Sequence, residues 1–127
     1  MQKLTVKQIA EKYNVSPHTI RFYDDAGLFP DVVRDEHGAR IFREANLEWI
    51  YLVLCLRSTG MSVADIKNFI RLSGQGDSTM VERYNIILAQ KKKAEGELEE
   101  LKQKIAVLNK KEKYYENMLA NQEQVVG

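Results

Sequence analysis

The chain has 127 residues, 29% of them charged and 44% hydrophobic, with a net charge of +1. This balance excludes wholesale disorder, and no stretch approaches the run of about 20 apolar residues that a membrane span needs. The overall charge makes no case for nucleic acid, but residues 1–23 are locally basic, with Lys3, Lys7, Lys12 and Arg21 against Glu11 alone.

Taken in chain order, the sequence predicts five helices and one hairpin. Thr5-Val6-Lys7-Gln8 has capping-box spacing and opens the first helix, with Ile9, Ala10 and Tyr13 inside and Asn14 as a left-handed stop. Ser16 caps a second helix that has Pro17 at its first position and ends at Gly27. Two short helices joined so tightly form a helix-turn-helix pattern. Pro30 blocks continuation, and Val32–Arg34 and Arg40–Phe42 read as strands around a loop containing Gly38, a hairpin wing. The third helix, Glu44 to Ser58, is almost wholly apolar, which predicts burial on most sides. Ser62-Val63-Ala64-Asp65 is a further capping box, opening a fourth helix through Leu72, and residues 73–76 form a flexible connector.

Thr79-Met80-Val81-Glu82, again with capping-box spacing, opens a long helix to about Asn121. With Tyr84 at heptad position a, the a series continues Lys91, Leu98, Ile105, Glu112, Leu119. The d series is Met80, Ile87, Ala94, Leu101, Leu108, Tyr115. An isolated helix with this seam leaves it in water, and no second long helix is available to cover it. A second copy of the chain is the simplest partner, in an antiparallel coiled coil with Ile87, Leu98, Leu101, Ile105, Leu108, Tyr115 and Leu119 at the interface. In one alignment Lys91 and Glu112 of opposite chains fall in neighbouring layers. The expected organisation is a winged helix-turn-helix head at 1–73, a linker at 74–78, the dimerisation helix at 79–121 and a flexible tail at 122–127.

The segment Arg21-Phe22-Tyr23-Asp24-Asp25-Ala26-Gly27-Leu28-Phe29-Pro30 resembles the signature of MerR-family transcription regulators. The resemblance continues through Gly38 and Arg40 of the wing, Leu56-Arg57, Gly60-Met61-Ser62 and the long last helix. It departs at Phe42, where the family usually has tyrosine, so no phosphate contact is expected there. The resemblance implies a dimer bound across a promoter palindrome. It also implies control of transcription by distorting the duplex, acting on RNA polymerase indirectly.

In such an interface phosphate contacts position the protein and base contacts specify sequence. Ser16, His18 and Thr19 lie at the leading end of the second helix, where it would enter the major groove. Arg21 can bond guanine or phosphate, with a structural ion pair to Asp24 or Asp25 as the alternative; Tyr23 offers a phenol to the backbone. Phe22 reads as core and His37 as plain surface. The resemblance implies Arg34, Arg40 and Arg43 as phosphate contacts of the wing.

No separate effector domain is expected, and the tail lacks the paired cysteines of metal-sensing relatives; no cofactor or metal is expected. One cysteine cannot form an internal disulfide, and the amino terminus has no signal-peptide core, both consistent with a reducing cytoplasm. Cys55 resembles the sensor thiol of a subgroup that responds to reactive aldehydes and other electrophiles. Arg57 or the start of the fourth helix could favour its thiolate, and an inert core cysteine is the alternative. Nothing in the sequence forms a catalytic constellation. The competing readings are a coiled-coil interaction protein with a protein-binding head, and a repressor that needs no effector.

Overall fold

A computed structural model describes the backbone of residues 3–126 and the side chains of residues 3–122. The chain divides into two units, Met1–Ile87 and Leu88–Gly127.

In the first unit, strand β1 (Lys3–Leu4) precedes helix α1 (Val6–Tyr13). The Thr5 hydroxyl accepts from the Gln8 amide at 3.2 Å, and Gln8 Oε1 accepts from the Thr5 amide at 2.8 Å, so the predicted capping box is formed. Asn14 closes the helix in the left-handed region, with φ 55°. Helix α2 (Pro17–Asp25) follows at once, Ser16 Oγ accepting from the Thr19 amide at 3.1 Å. Past its end Gly27 takes φ +83°, which lets its amide reach Asp24 O at 3.0 Å and that of Leu28 reach Tyr23 O at 3.1 Å.

The wing consists of β2 (Val33–Arg34) and β3 (Arg40–Arg43), paired antiparallel with Val33 opposite Ile41. The other edge of β3 pairs with β1, giving the order β1-β3-β2 with Lys3 opposite Arg43. A two-residue strand carries no alternation to read, which is why β1 was not anticipated.

Helix α3 (Glu44–Ser58) has the predicted bounds but not the predicted burial. Asn46, Ile50, Val53 and Leu56 face the core, whereas Glu48, Tyr51 and Cys55 lie on the opposite side, Tyr51 being 61% exposed. A small head covers one stripe of a helix, and apolar residues outside that stripe stay uncovered in the single chain. Buried Asn46 is satisfied at both ends: Oδ1 accepts from the Arg43 amide at 2.8 Å and Nδ2 donates to Pro30 O at 2.9 Å.

Helix α4 (Val63–Gly74) starts at Ser62, which accepts from the Asp65 amide at 3.1 Å, and it continues through two residues of the expected connector. A short 3-10 turn, Asp77–Thr79, leads into α5 (Met80–Val126). Thr79 does not cap α5. Its buried hydroxyl is directed at Leu72 O (2.6 Å) and Gly76 O (2.9 Å) and accepts from Arg83 Nε at 3.0 Å, so it bridges the end of α4 and the first turn of α5 instead of accepting from a first-turn amide. The core gathers Ile9, Ile20, Leu28, Phe42, Ile50, Val53 and Ile66, all fully buried, each contributing about 1.5–3 kcal/mol by leaving water.

The second unit is the continuation of α5. Its helix passes through Gly96 without interruption and extends to Val126, so the boundary expected at Asn121 and the flexible tail expected beyond it are not observed; residue 127 lies outside the described residues. Leu98, Leu101, Ile105, Leu108, Tyr115 and Leu119 are all exposed in the single chain.

Candidate nucleic-acid interface

Helical periodicity gives α2 two faces. Ile20 and Tyr23 point into the core, while His18, Arg21, Phe22 and Asp25 share an exposed stripe. His18 and Arg21 are thus presented together, free to approach base edges or phosphates. Phe22 is 52% exposed and not core, a correction that follows from its place on the stripe beside Arg21. Thr19 is half-buried, and its hydroxyl lies 2.9 Å from Ser16 Oγ. Ser16 is therefore occupied mainly in starting the helix.

The ring of Tyr23 is buried, edge-on to Phe22 at 5.8 Å and to Phe29 at 6.4 Å. Phe29 in turn meets Phe42 of the wing edge-on at 6.3 Å. No buried side-chain oxygen or nitrogen among the described residues lacks a partner, so the Tyr23 hydroxyl, for which no bond is found, reaches solvent. Tyr23 also lines a depression of about 350 Å³ with His18, Thr19, Phe22, Arg57 and Val63.

Arg40 differs from its expected role. Its Nε donates to Asp24 Oδ2 at 2.7 Å and its Nη2 to Asp25 Oδ1, and only 11% of its side chain is exposed. Burial works against the charge, but hydrogen bonds and attraction from the two carboxylates outweigh it and raise the guanidinium pKa. The carboxylates considered as partners for Arg21 are thus taken by Arg40, which ties the wing to the end of α2. The unbound head offers no free Arg40 guanidinium to a phosphate.

At the wing tip Asp35 Oδ1 accepts from the amides of His37 (2.8 Å) and Ala39 (2.9 Å), and Gly38 takes φ +81°. Arg34 donates to Gly38 O at 2.8 Å and remains exposed. Pairing of β1 with β3 brings Lys3 beside Arg43, and both line a depression of about 330 Å³ with Arg34 and Asp35. Like charges opposite one another cost stability unless an anion joins them. Lys3 is a member of this basic cluster that sequence reasoning missed, since only the unforeseen strand brings it there.

Residues 4–72 match the family model for the MerR HTH family regulatory protein. The chain belongs to the MerR family. It is 40% identical, over 116 residues, to an uncharacterized HTH-type transcriptional regulator of Haemophilus influenzae, a match covering 91% of this chain and 86% of the relative. It is 31% identical to the HTH-type transcriptional regulator AdhR of Bacillus subtilis over 84 residues, or 66% of this chain and 60% of AdhR. Among solved structures it is similar to HiNmlR, a MerR family regulator lacking the sensor domain, whose crystal structure is bound to promoter DNA. The TM-score there is 0.75 with 39% identity, covering 94% of each chain. A Listeria monocytogenes protein of the family superposes with TM-score 0.82 at 28% identity, covering 96% of this chain and 93% of the other. This MerR-family chain is a DNA-binding transcription regulator, and its relatives are regulators rather than enzymes.

Proposed function

We propose that two copies join through α5 and present their α2 helices to the half-sites of a promoter palindrome, controlling transcription by distorting the duplex. The observation that carries this reading is the a/d stripe of α5. Leu98, Leu101, Ile105, Leu108 and Leu119 stay 48–64% exposed in the single chain, and an antiparallel second copy covers them. The similarity to HiNmlR, which is bound to promoter DNA, supports the DNA partner. His18 and Arg21 read the groove, while Lys3, Arg34 and Arg43 hold flanking phosphates. RNA polymerase is affected through the shape of the promoter. Sedimentation of the purified chain should give the mass of a dimer, and footprinting should protect two symmetric half-sites. A stable monomer that ignores palindromes at low salt overturns this reading.

A second element of the reading concerns Cys55. Its thiol is exposed, which opposes the inert-core alternative. One helical turn earlier the Tyr51 phenol is held above its ordinary pKa, first by hydrogen bonding to Cys55 and then by its charge. Arg57 gives a guanidinium N–H to Met61 O at 3.1 Å. In the proposed response the Cys55 thiol loses its proton to water and the thiolate sulfur adds to the carbonyl carbon of a reactive aldehyde; the C=O π pair moves to the oxygen, which takes a proton back from water to give a hemithioacetal. Cys55→Ser should bind the promoter normally and no longer respond to the aldehyde in a reporter assay. A full response from that variant removes the sensor role and leaves an effector-independent regulator.

A further inference from the structure

Position 22 puts an aromatic ring on a face of α2 that is otherwise polar. His18, Arg21 and Asp25 share that outward face with Phe22, whose ring is 52% exposed. A solitary exposed ring elsewhere on a protein would call for no account. This one stands on the face offered to the major groove, one helical turn beyond His18 and on the same side. It is also held in place. Tyr23 is buried behind it, edge-on at 5.8 Å, and Phe29 backs Tyr23 at 6.4 Å. A ring fixed in this way loses little further freedom when a partner group covers it.

Thr19 extends the apolar flank. It lies three residues before Phe22, so the two are neighbours on the helix surface. Its hydroxyl is engaged with Ser16 Oγ at 2.9 Å, which leaves the methyl as the group it can give to a partner. Both residues border the depression of about 350 Å³ toward the start of α4, where Val63 adds a further apolar side chain. The reading face is thus divided, with Arg21 on the flank away from Thr19 and an apolar flank at Phe22.

The base edges of the major groove are mostly hydrogen-bonding groups, and the apolar exception is the C5-methyl of thymine. A ring laid on a donor or acceptor strips water from it and returns no bond. A ring laid on a methyl has no such penalty and removes apolar surface from water. Cytosine in the same place offers an amino donor and no methyl. We infer that Phe22, with Thr19 beside it, packs on the C5-methyl of one thymine in each half-site and makes α2 select thymine over cytosine there. His18 and Arg21 supply the hydrogen-bonding part of the readout and Phe22 the apolar part.

This inference rests on the regulator reading above. Its test uses a duplex selected by the wild-type chain from a randomised pool, with each thymine replaced in turn by deoxyuridine, which lacks only the methyl. At one thymine of each half-site the replacement should weaken wild-type binding about fourfold, the effect of uncovering one methyl. Cytosine at that place should weaken binding by about tenfold or more, and 5-methylcytosine should recover part of the loss. Phe22→Ala should bind more weakly than the wild type and no longer distinguish thymine from deoxyuridine there, while Phe22→Leu keeps part of the distinction. A wild-type chain indifferent to every methyl overturns the inference. So does a Phe22→Ala chain whose preference for thymine is undiminished, the pattern of a ring that rests on deoxyribose while another group reads the base. If Phe22→Ala fails to fold, Phe22→Gln takes its place and is judged in the same way. A wild-type chain that enriches no duplex brings down the regulator reading itself, a result distinguishable from all of these.

Discussion

Replacing Arg40 with Gln separates a wing-positioning role from direct contact with DNA. In the unbound head Arg40 bridges Asp24 and Asp25, with side chains of Arg40 and Asp24 only 11% and 15% exposed. Removing one partner of a fully buried pair costs about 3–5 kcal/mol, because the remaining charge is left uncompensated. Asp25 is 65% exposed, so its share is screened by water and is worth at most about 1 kcal/mol. Asp24 can also regain some hydration once the guanidinium is gone. The expected loss is therefore below the fully buried range, about 2–3 kcal/mol. For a unit the size of this head that lowers the unfolding midpoint by roughly 10–20 °C. Thermal unfolding followed by circular dichroism reads this directly. Adding Asp24→Asn should recover part of the loss, giving a coupling of about 1–3 kcal/mol in a double-mutant cycle. An Arg40 that instead meets a phosphate would leave unfolding almost unchanged and reduce the salt slope of DNA binding by about 0.9 per copy. That pair of results refutes the tie between wing and α2.

Thr79→Val keeps the shape of the side chain but deprives Leu72 O of a buried donor and Arg83 Nε of its acceptor. It should destabilise the head by about 1–3 kcal/mol in urea unfolding, and a change under about 0.5 kcal/mol would mean that water replaces the hydroxyl. In the proposed dimer, Lys91→Glu and Glu112→Lys should each weaken association in sedimentation equilibrium, and the double exchange should restore it. Failure of the double exchange contradicts the proposed register while leaving the dimer itself standing.

The parts of the head written in local chemistry were legible. The Thr5–Gln8 box, the Asn14 stop, Ser16 before Pro17 and the glycines at 27 and 38 each solve a problem within a few residues, so the sequence states them directly. Contacts between distant segments were less visible. Lys3 joins the wing cluster through a strand too short to show a period, and Arg40 turns toward carboxylates on another element. Thr79 had the spacing of a cap yet satisfies the end of the preceding helix, a choice fixed by how the chain folds back. The apolar content of α3 suggested enclosure, but Tyr51 and Cys55 fall outside the stripe that one head can cover. For the candidate interface, the α2 residues followed from helical periodicity, whereas the place of Lys3 beside Arg43 depends on a strand pairing that no local pattern shows.

The edge-to-face contacts from Tyr23 through Phe29 to Phe42 join α2, the connection that follows it and the wing. With Arg40 bolted alongside, α2 and the wing form a stiff caliper whose opening is set by aromatic packing. Flexing it would require unstacking rings in a core packed as densely as a crystal, whereas bending a short duplex costs on the order of 1–6 kcal/mol. In the proposed complex, where such a caliper would close on a groove of different natural spacing, the nucleic acid is the softer partner and would yield first.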